Sequence, residues 1–319
     1  MQFTTKINVK ESCFPINYDS KILLIGSCFA ENMGDKFQYF KFQSFVNPFG
    51  IIFNPVSLEK LIRRSVENRK FTENDIFFHK DLWHCFEVHS ELSNPDKETF
   101  LNNLNSMVEL THRQIETVTH CIITLGTSWV YRNIESKQIV ANCHKVPQKE
   151  FIKELLPIHQ IEESLESIIS LMHTVNPNCK FIFTISPVRH IKDGFTENTL
   201  SKAHLIASIH KTINHHTSPI SYFPSYEIMM DELRDYRFYA EDMLHPSQTA
   251  IDYIWIKFFE NYISESEFGL MNEICSIQKG LKHRPFNPNT ASHQKFLVDL
   301  KTKMTTIEKK LPFISFESE

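Results

Sequence analysis

The sequence predicts an α/β fold: a three-layer α/β/α sandwich around a mainly parallel sheet, in one domain over residues 1–319. Three observations carry this prediction. Short apolar runs of strand length recur at 21–25, 120–125, 180–185 and 220–223. Segments with helical spacing of apolar residues separate them, so successive strands need crossovers and lie parallel, with helices on both faces. No internal repeat and no Pro/Gly/Ser-rich linker divides the chain.

The elements follow in order. Lys21–Ile25 is a buried strand, and Ala30–Phe40 has helical spacing, with Met33, Phe37 and Phe40 on one side. Gln43–Val46 makes a short second strand that stops at Asn47-Pro48-Phe49-Gly50. Ser57–Val66 reads as a helix capped by Ser57. The aromatic, His-rich stretch Asp75–Val88 suggests an inserted hairpin, and Lys97–Glu116 a helix. His120–Leu125 is the next buried strand. Trp129–Tyr131 and Gln138–Ala141 suggest a second hairpin. Ile158–Val175 is helical, Lys180–Ile185 a strand, Thr199–His215 a helix, Ile220–Phe223 a strand, and Ser247–Tyr262 a closing helix. Residues 264–319 are expected to form a helical extension on the same domain, with Phe296, Leu297, Leu300 and Met304 on one face.

Composition excludes several classes of function. Apolar residues make up 41 % and charged residues 23 %, ordinary for a globular chain, and the net charge is −4 without a long basic block. Neither nucleic acid nor an anionic membrane surface is indicated as a partner. No apolar stretch is long enough to span a bilayer, and Met1–Lys6 lacks the apolar core of a secretory leader. Seven cysteines without a CxxC pair point to reduced thiols, so a cytoplasmic location is expected. His79, His84 and His89 are five apart, a spacing that fits neither one strand face nor one helix stripe; no metal and no cofactor are expected.

Two distant segments carry chemistry. The first strand ends in Gly26-Ser27-Cys28-Phe29-Ala30, and ligands of parallel sheets bind beyond the carboxyl ends of strands. Ser27 therefore sits at the mouth of the crevice, beside a helix N-terminus with free N–H groups suited to a developing oxyanion. A hydroxyl needs a base, and Asp242-Met243-Leu244-His245 supplies one. The carboxylate, three residues before the imidazole, reaches its far nitrogen and fixes the tautomer. Taken singly, each segment is more simply a helix cap; together they make Ser27, Asp242 and His245 a candidate catalytic triad. Cys28, the neighbouring thiol, is read as packing.

Gly26-Ser27-Cys28-Phe29-Ala30 resembles the signature of the GSCFA family, which is grouped with the SGNH (GDSL-like) hydrolases. Asn47-Pro48-Phe49-Gly50-Ile51, Leu125-Gly126-Thr127, Val140–Pro147, Ser186-Pro187-Val188, Asp242–His245 and His283-Arg284-Pro285-Phe286 extend the resemblance over most of the chain. It implies an SGNH-like sandwich with Ser27 as nucleophile and Asp242 and His245 as its partners. It also implies an oxyanion hole from the N–H groups of Ser27 and Gly50. SGNH enzymes usually add an Asn from a Gly-x-Asn-Asp segment, whereas this chain has Gly126-Thr127-Ser128-Trp129. Ser128, Asn142 and His144 are the candidates to replace that donor, and the sequence does not choose among them.

The expected activity is an esterase or acyl hydrolase acting on small O-acyl esters, acetyl among them, with a small molecule or carbohydrate as partner. An O-acyltransferase with the same triad and a non-catalytic binding protein are the alternatives. Arg189, after the fourth strand, is a candidate for holding an anionic substrate group, and Trp83 for walling the pocket. His190 lies at the same edge of the sheet.

Overall fold

In the computed structural model, which describes residues 5–216 and 219–316, the chain alternates strands and helices as the sequence predicts. Residues 1–4, part of the segment read as lacking a leader's apolar core, lie outside the described residues. The chain runs β1 (Lys21–Gly26), α1 (Cys28–Tyr39), β2 (Gln43–Val46), α2 (Pro55–Val66), β3 (Phe77–His79), β4 (Leu82–His84) and α3 (Lys97–Thr117). It continues through β5 (His120–Leu125), β6 (Trp129–Asn133), β7 (Ile139–Val140), β8 (Phe151–Leu155), α4 (Ile158–Val175), β9 (Lys180–Ile185) and α5 (Phe195–His215). It closes with β10 (Ile220–Phe223), the single turn α6 (Ser225–Glu227), α7 (Gln248–Tyr262), α8 (Phe268–Leu281) and α9 (Ala291–Lys310).

Five strands form the central sheet in the order β10-β9-β5-β1-β2, every pairing parallel. From β1 the chain first steps to one side, to β2, and then returns past β1 to add β5, β9 and β10 on the other. The order therefore reverses between β1 and β5, the switch point where such sheets open a crevice at their carboxyl edge.

Side chains alternate across this sheet, as the pleat requires. Leu23 and Ile25 of β1, Cys121, Ile123 and Leu125 of β5, and Phe181, Phe183 and Ile185 of β9 enter one apolar layer, under α2, α3, α4 and α5. Ile22, Leu24, Ile122 and Ile182 enter the other, with α1, α7, α8 and α9. Aromatic rings interlock in this second layer: Phe37 meets Phe42, Trp255 and Phe258 edge-on, at centroid distances of 5.6, 5.0 and 5.8 Å. In the C-terminal segment α8 buries Leu270, Met271, Ile274 and Ile277, and α9 buries Leu300 and Ile307. Phe296 and Leu297, expected on the packed face of α9, remain exposed.

Three local expectations are corrected. Asn54, not Ser57, caps α2: its Oδ1 accepts from Ser57 N at 2.9 Å, and Pro55 occupies the first turn, where its missing N–H costs nothing. Helix α5 begins at Phe195, four residues before the predicted start. The strand β8 was not predicted at all; it pairs antiparallel with β6, which also pairs with β7, so the second hairpin is a three-stranded sheet. The first hairpin is present as the antiparallel pair β3-β4.

Candidate active site

Ser27 stands between β1 and α1, at the switch point. The preceding glycine is required: Gly26 has φ +136°, and a Cβ there would lie 2.1 Å from the Thr124 carbonyl oxygen. Asn47, which ends β2, fixes the same corner. Its Oδ1 accepts from Gly26 N at 2.9 Å, and its Nδ2 donates to Glu31 at 3.2 Å. Ser27 is 1 % exposed, and its Oγ caps α1, accepting from Phe29 N at 3.3 Å. Cys28 is half-buried, and burial raises its thiol pKa, followed by the nearby Glu31 carboxylate. It is a packing thiol rather than a thiolate.

Asp242 and His245 form a closed unit. Oδ1 of Asp242 accepts from the backbone N–H groups of Leu244 at 2.9 Å and His245 at 3.0 Å, and Oδ2 accepts from His245 Nδ1 at 2.5 Å. The His245 and Leu244 backbone donors, then the imidazole, pull the carboxyl pKa down to about 2. Met243 takes φ +60° to make this turn possible, and Ser247 caps α7 immediately after it. With Nδ1 committed to the carboxylate, Nε2 is the free face of a half-exposed ring. The unit is tied to the carboxyl edge of the sheet because Arg189, just past β9, donates its N–H to Leu244 O at 3.1 Å. Among the described residues no hydrogen bond joins Ser27 to His245.

Both backbone N–H groups expected as oxyanion donors are engaged in this structure. Ser27 N–H donates to Thr124 O at 3.0 Å, the hydrogen bond that closes the β1–β5 ladder at its last pair, Gly26–Thr124. Gly50 N–H donates to Asn47 O at 2.8 Å, closing the Asn47–Gly50 turn, in which Gly50 takes φ +75°. Of the three candidates for the further donor, Ser128 is occupied: its N–H and hydroxyl both donate to Ser201, at 2.8 and 3.1 Å. His144 is buried under the β3-β4 hairpin, with Nε2 donating to Cys85 O at 2.7 Å, and burial pushes its pKa down to about 4. Asn142 alone faces a cavity, with its Oδ1 accepting from His144 N at 2.8 Å.

That cavity, of about 300 Å3, opens beside the strand ends. Phe53, Trp129 and Tyr131 are its aromatic walls, and His89, Asn142 and His190 its polar ones. Lys153 lies over the Trp129 and Tyr131 rings, at 5.2 and 5.6 Å, and is paired with Asp193. The two residues proposed to hold substrate lie elsewhere. Trp83 packs under the Lys97 ammonium, 5.2 Å from its ring, with its backbone paired to Asn94. The Arg189 guanidinium stacks on Tyr239 at 3.9 Å and Tyr236 at 5.0 Å, in a separate hollow of about 170 Å3.

Lys202 was missed by the sequence reading. It is 1 % exposed, and its Nζ donates to Gly126 O and Ser186 O, both at 2.7 Å, stapling the carboxyl ends of β5 and β9 together. Burial pushes its pKa down to about 7. The signal was present: Asn198, Ser201, Lys202, Leu205 and Ile209 share helical spacing, so the lysine lies on the buried face of α5. Asn198 itself accepts from His190 N at 2.8 Å and so fixes the loop after β9. Among the described residues no group of three or more His, Cys, Asp or Glu side chains is arranged to hold a metal ion. Among the described residues no helix is long and apolar enough to cross a membrane.

No curated protein matches the sequence. The family model described as the GSCFA domain protein, C-terminal domain, matches residues 274–319. The model of the GSCFA family matches residues 21–258, from the first residue of β1 into α7, so the chain belongs to the GSCFA family.

Proposed function

We propose that the protein is a serine-dependent esterase of the SGNH type, releasing small O-acyl groups through an acyl-enzyme. The observation that carries this reading is the Asp242–His245 unit: the ring is held by Nδ1, presents Nε2 outward, and sits at the same carboxyl edge of the sheet as Ser27. A carboxylate that accepts two backbone N–H groups as well as the imidazole is oriented before any substrate arrives.

In the proposed reaction the Ser27 hydroxyl leaves its capping bond to Phe29 N and meets His245 Nε2 as substrate seats. Catalytic hydrogen bonds commonly tighten only at that stage. Oγ bonds to the ester carbonyl carbon while its proton passes to Nε2, and Asp242 stabilises the imidazolium. Collapse breaks the ester C–O bond, and Nε2 returns the proton to the departing alcohol. Water then attacks the acyl-enzyme by the same route, giving the free acid and restoring Ser27. Carbohydrate is the proposed class of alcohol by likeness to SGNH hydrolases. An O-acyltransferase would follow the same first half, with an acceptor hydroxyl in the cavity beside the edge replacing water.

One observation favours a binding protein instead: Ser27 is covered, and its N–H and that of Gly50 are already donated. Turnover of p-nitrophenyl acetate separates the two readings. The esterase reading expects hydrolysis that disappears in Ser27→Ala and falls steeply in His245→Ala. A folded parent protein that turns over no faster than Ser27→Ala belongs to the binding reading. Counting free acetate against acetyl transferred to added sugars distinguishes hydrolase from transferase.

A further inference from the structure

We propose that His190 supplies a hydrogen-bond donor at this catalytic edge, donating from Nε2 to the carbonyl oxygen of the bound acyl group. The inference rests on the esterase reading above and assigns a role within that same site.

The N–H groups of Ser27 and Gly50 are spent within the backbone, Ser128 is spent on Ser201, and His144 on Cys85 O, which leaves Asn142, whose Oδ1 holds His144 N on the loop after β7 and not at an end of the central sheet. An acyl-transfer site needs at least one donor aimed at the developing negative oxygen.

Nε2 of His190 is buried and has no hydrogen-bond partner, an arrangement that is costly unless a ligand completes it. The loop that carries it is pinned twice: His190 N donates to Asn198 Oδ1 at 2.8 Å, and Arg189 N to Leu244 O at 3.1 Å. The ring leans against Phe53, at a centroid distance of 5.7 Å, and both line the 300 Å3 cavity. The ring is thus held beside the cavity by packing and backbone bonds.

Nε2 lies 3.1 Å from the point that a Cβ on Gly126 would occupy. Gly26 pairs with Thr124, so the ladder brings Ser27 opposite Leu125, one residue before Gly126. The orphan nitrogen therefore sits near the end of β5, the strand paired with β1, whose own end leads into Ser27. Any side chain at 126 would press on this nitrogen and on Phe53, whose Cβ is 2.7 Å from the same point.

The chemistry suits a donor rather than a base. Burial, then the charges of Lys202 and His245, push the His190 pKa down to about 3. A neutral ring with its proton on Nε2 donates one hydrogen bond and resists becoming an imidazolium beside Lys202. His245, half-exposed and paired with a carboxylate, is the ring built to accept a proton.

The test is p-nitrophenyl acetate turnover, with kcat and KM separated, in the parent, His190→Phe and His190→Gln. His190→Phe keeps the ring shape and removes the donor. The expected result is a loss in kcat of about 100-fold with KM within about threefold, and recovery to within about tenfold of the parent in His190→Gln, which returns an N–H. Thermal unfolding verifies that each variant is folded. If His190→Phe does not fold, His190→Ala takes its place, and added imidazole is expected to restore kcat by roughly tenfold or more over the imidazole-catalysed background measured with Ser27→Ala. A folded His190→Phe with parental kcat overturns the assignment, as does equal loss in Phe and Gln, or a His190→Ala that imidazole does not rescue. A parent protein with no Ser27-dependent turnover removes the esterase reading itself and this assignment with it, an outcome distinct from a working enzyme indifferent to His190.

Discussion

Asp242 and His245 are joined by a 2.5 Å hydrogen bond from the imidazole Nδ1 to one carboxylate oxygen, while the other oxygen holds the backbone N–H groups of residues 244 and 245. One side chain thus shapes the turn and orients the ring. The two duties separate under mutation. In Asp242→Asn the amide oxygen can still accept the backbone donors, but the imidazolium loses its counter-charge and its tautomer is no longer enforced. The expected result is a drop in ester turnover of about 10^4-fold with little change in the unfolding midpoint. A variant that keeps most of its activity would remove the carboxylate from the mechanism.

Gly26 is required by geometry. Gly26→Ala places a Cβ against the Thr124 carbonyl and forces φ +136° on a residue that rarely adopts it. A loss of at least about 3–4 kcal/mol in urea unfolding, or failure to fold, is expected. A near-parental midpoint would mean that the strand end is shaped differently.

Lys202 staples two strand ends through the Gly126 and Ser186 carbonyls. Lys202→Met keeps the volume and leaves both oxygens buried without donors. At about 1–3 kcal/mol for each orphaned group, the expected cost is about 2–6 kcal/mol. Denaturant unfolding measures it, and a loss below about 1 kcal/mol would show that the staple is dispensable.

Acid should destabilise the fold earlier than carboxylate titration alone. Burial is the largest cause in each of three lowered histidine pKa values: His120 and His144 to about 4, and His190 to about 3. Between those values and the ordinary 6.5 or so, the unfolded chain binds protons that the folded chain refuses, so stability falls as pH drops through that window. Each group contributes at most about 1.4 kcal/mol per pH unit. Glu31 and Glu227, whose pKa values burial raises, oppose the trend at the acid end. Unfolding free energy measured from pH 7 to pH 5 should decline, and less steeply in His120→Gln. A flat profile over that range would contradict the burial of these rings.

Much of the fold was legible because the buried strands are continuous apolar runs bounded by turn residues, and the helices between them keep a clear period. Strand β8 escaped because Phe151-Ile152-Lys153-Glu154-Leu155 buries only its first residue and alternates too briefly to stand out. The Ser57 cap was misread because Asn54-Pro55 is the stronger start, three residues earlier. Ser27, Asp242 and His245 were visible as short motifs at element boundaries. Donor occupancy was not, because it depends on how far a ladder runs and how a turn closes. Nor was the placement of Trp83 and Arg189: a large side chain near an edge is as readily drawn into packing as into a pocket.

The central claim is that Ser27 becomes a nucleophile through His245. A fluorophosphonate probe with the adduct located by mass spectrometry tests it most directly. A single adduct on Ser27 is expected, absent in Ser27→Ala and formed about 10^3-fold or more slowly in His245→Ala. A folded protein that never reacts at Ser27, or one that reacts there at the same rate without the imidazole, would contradict it.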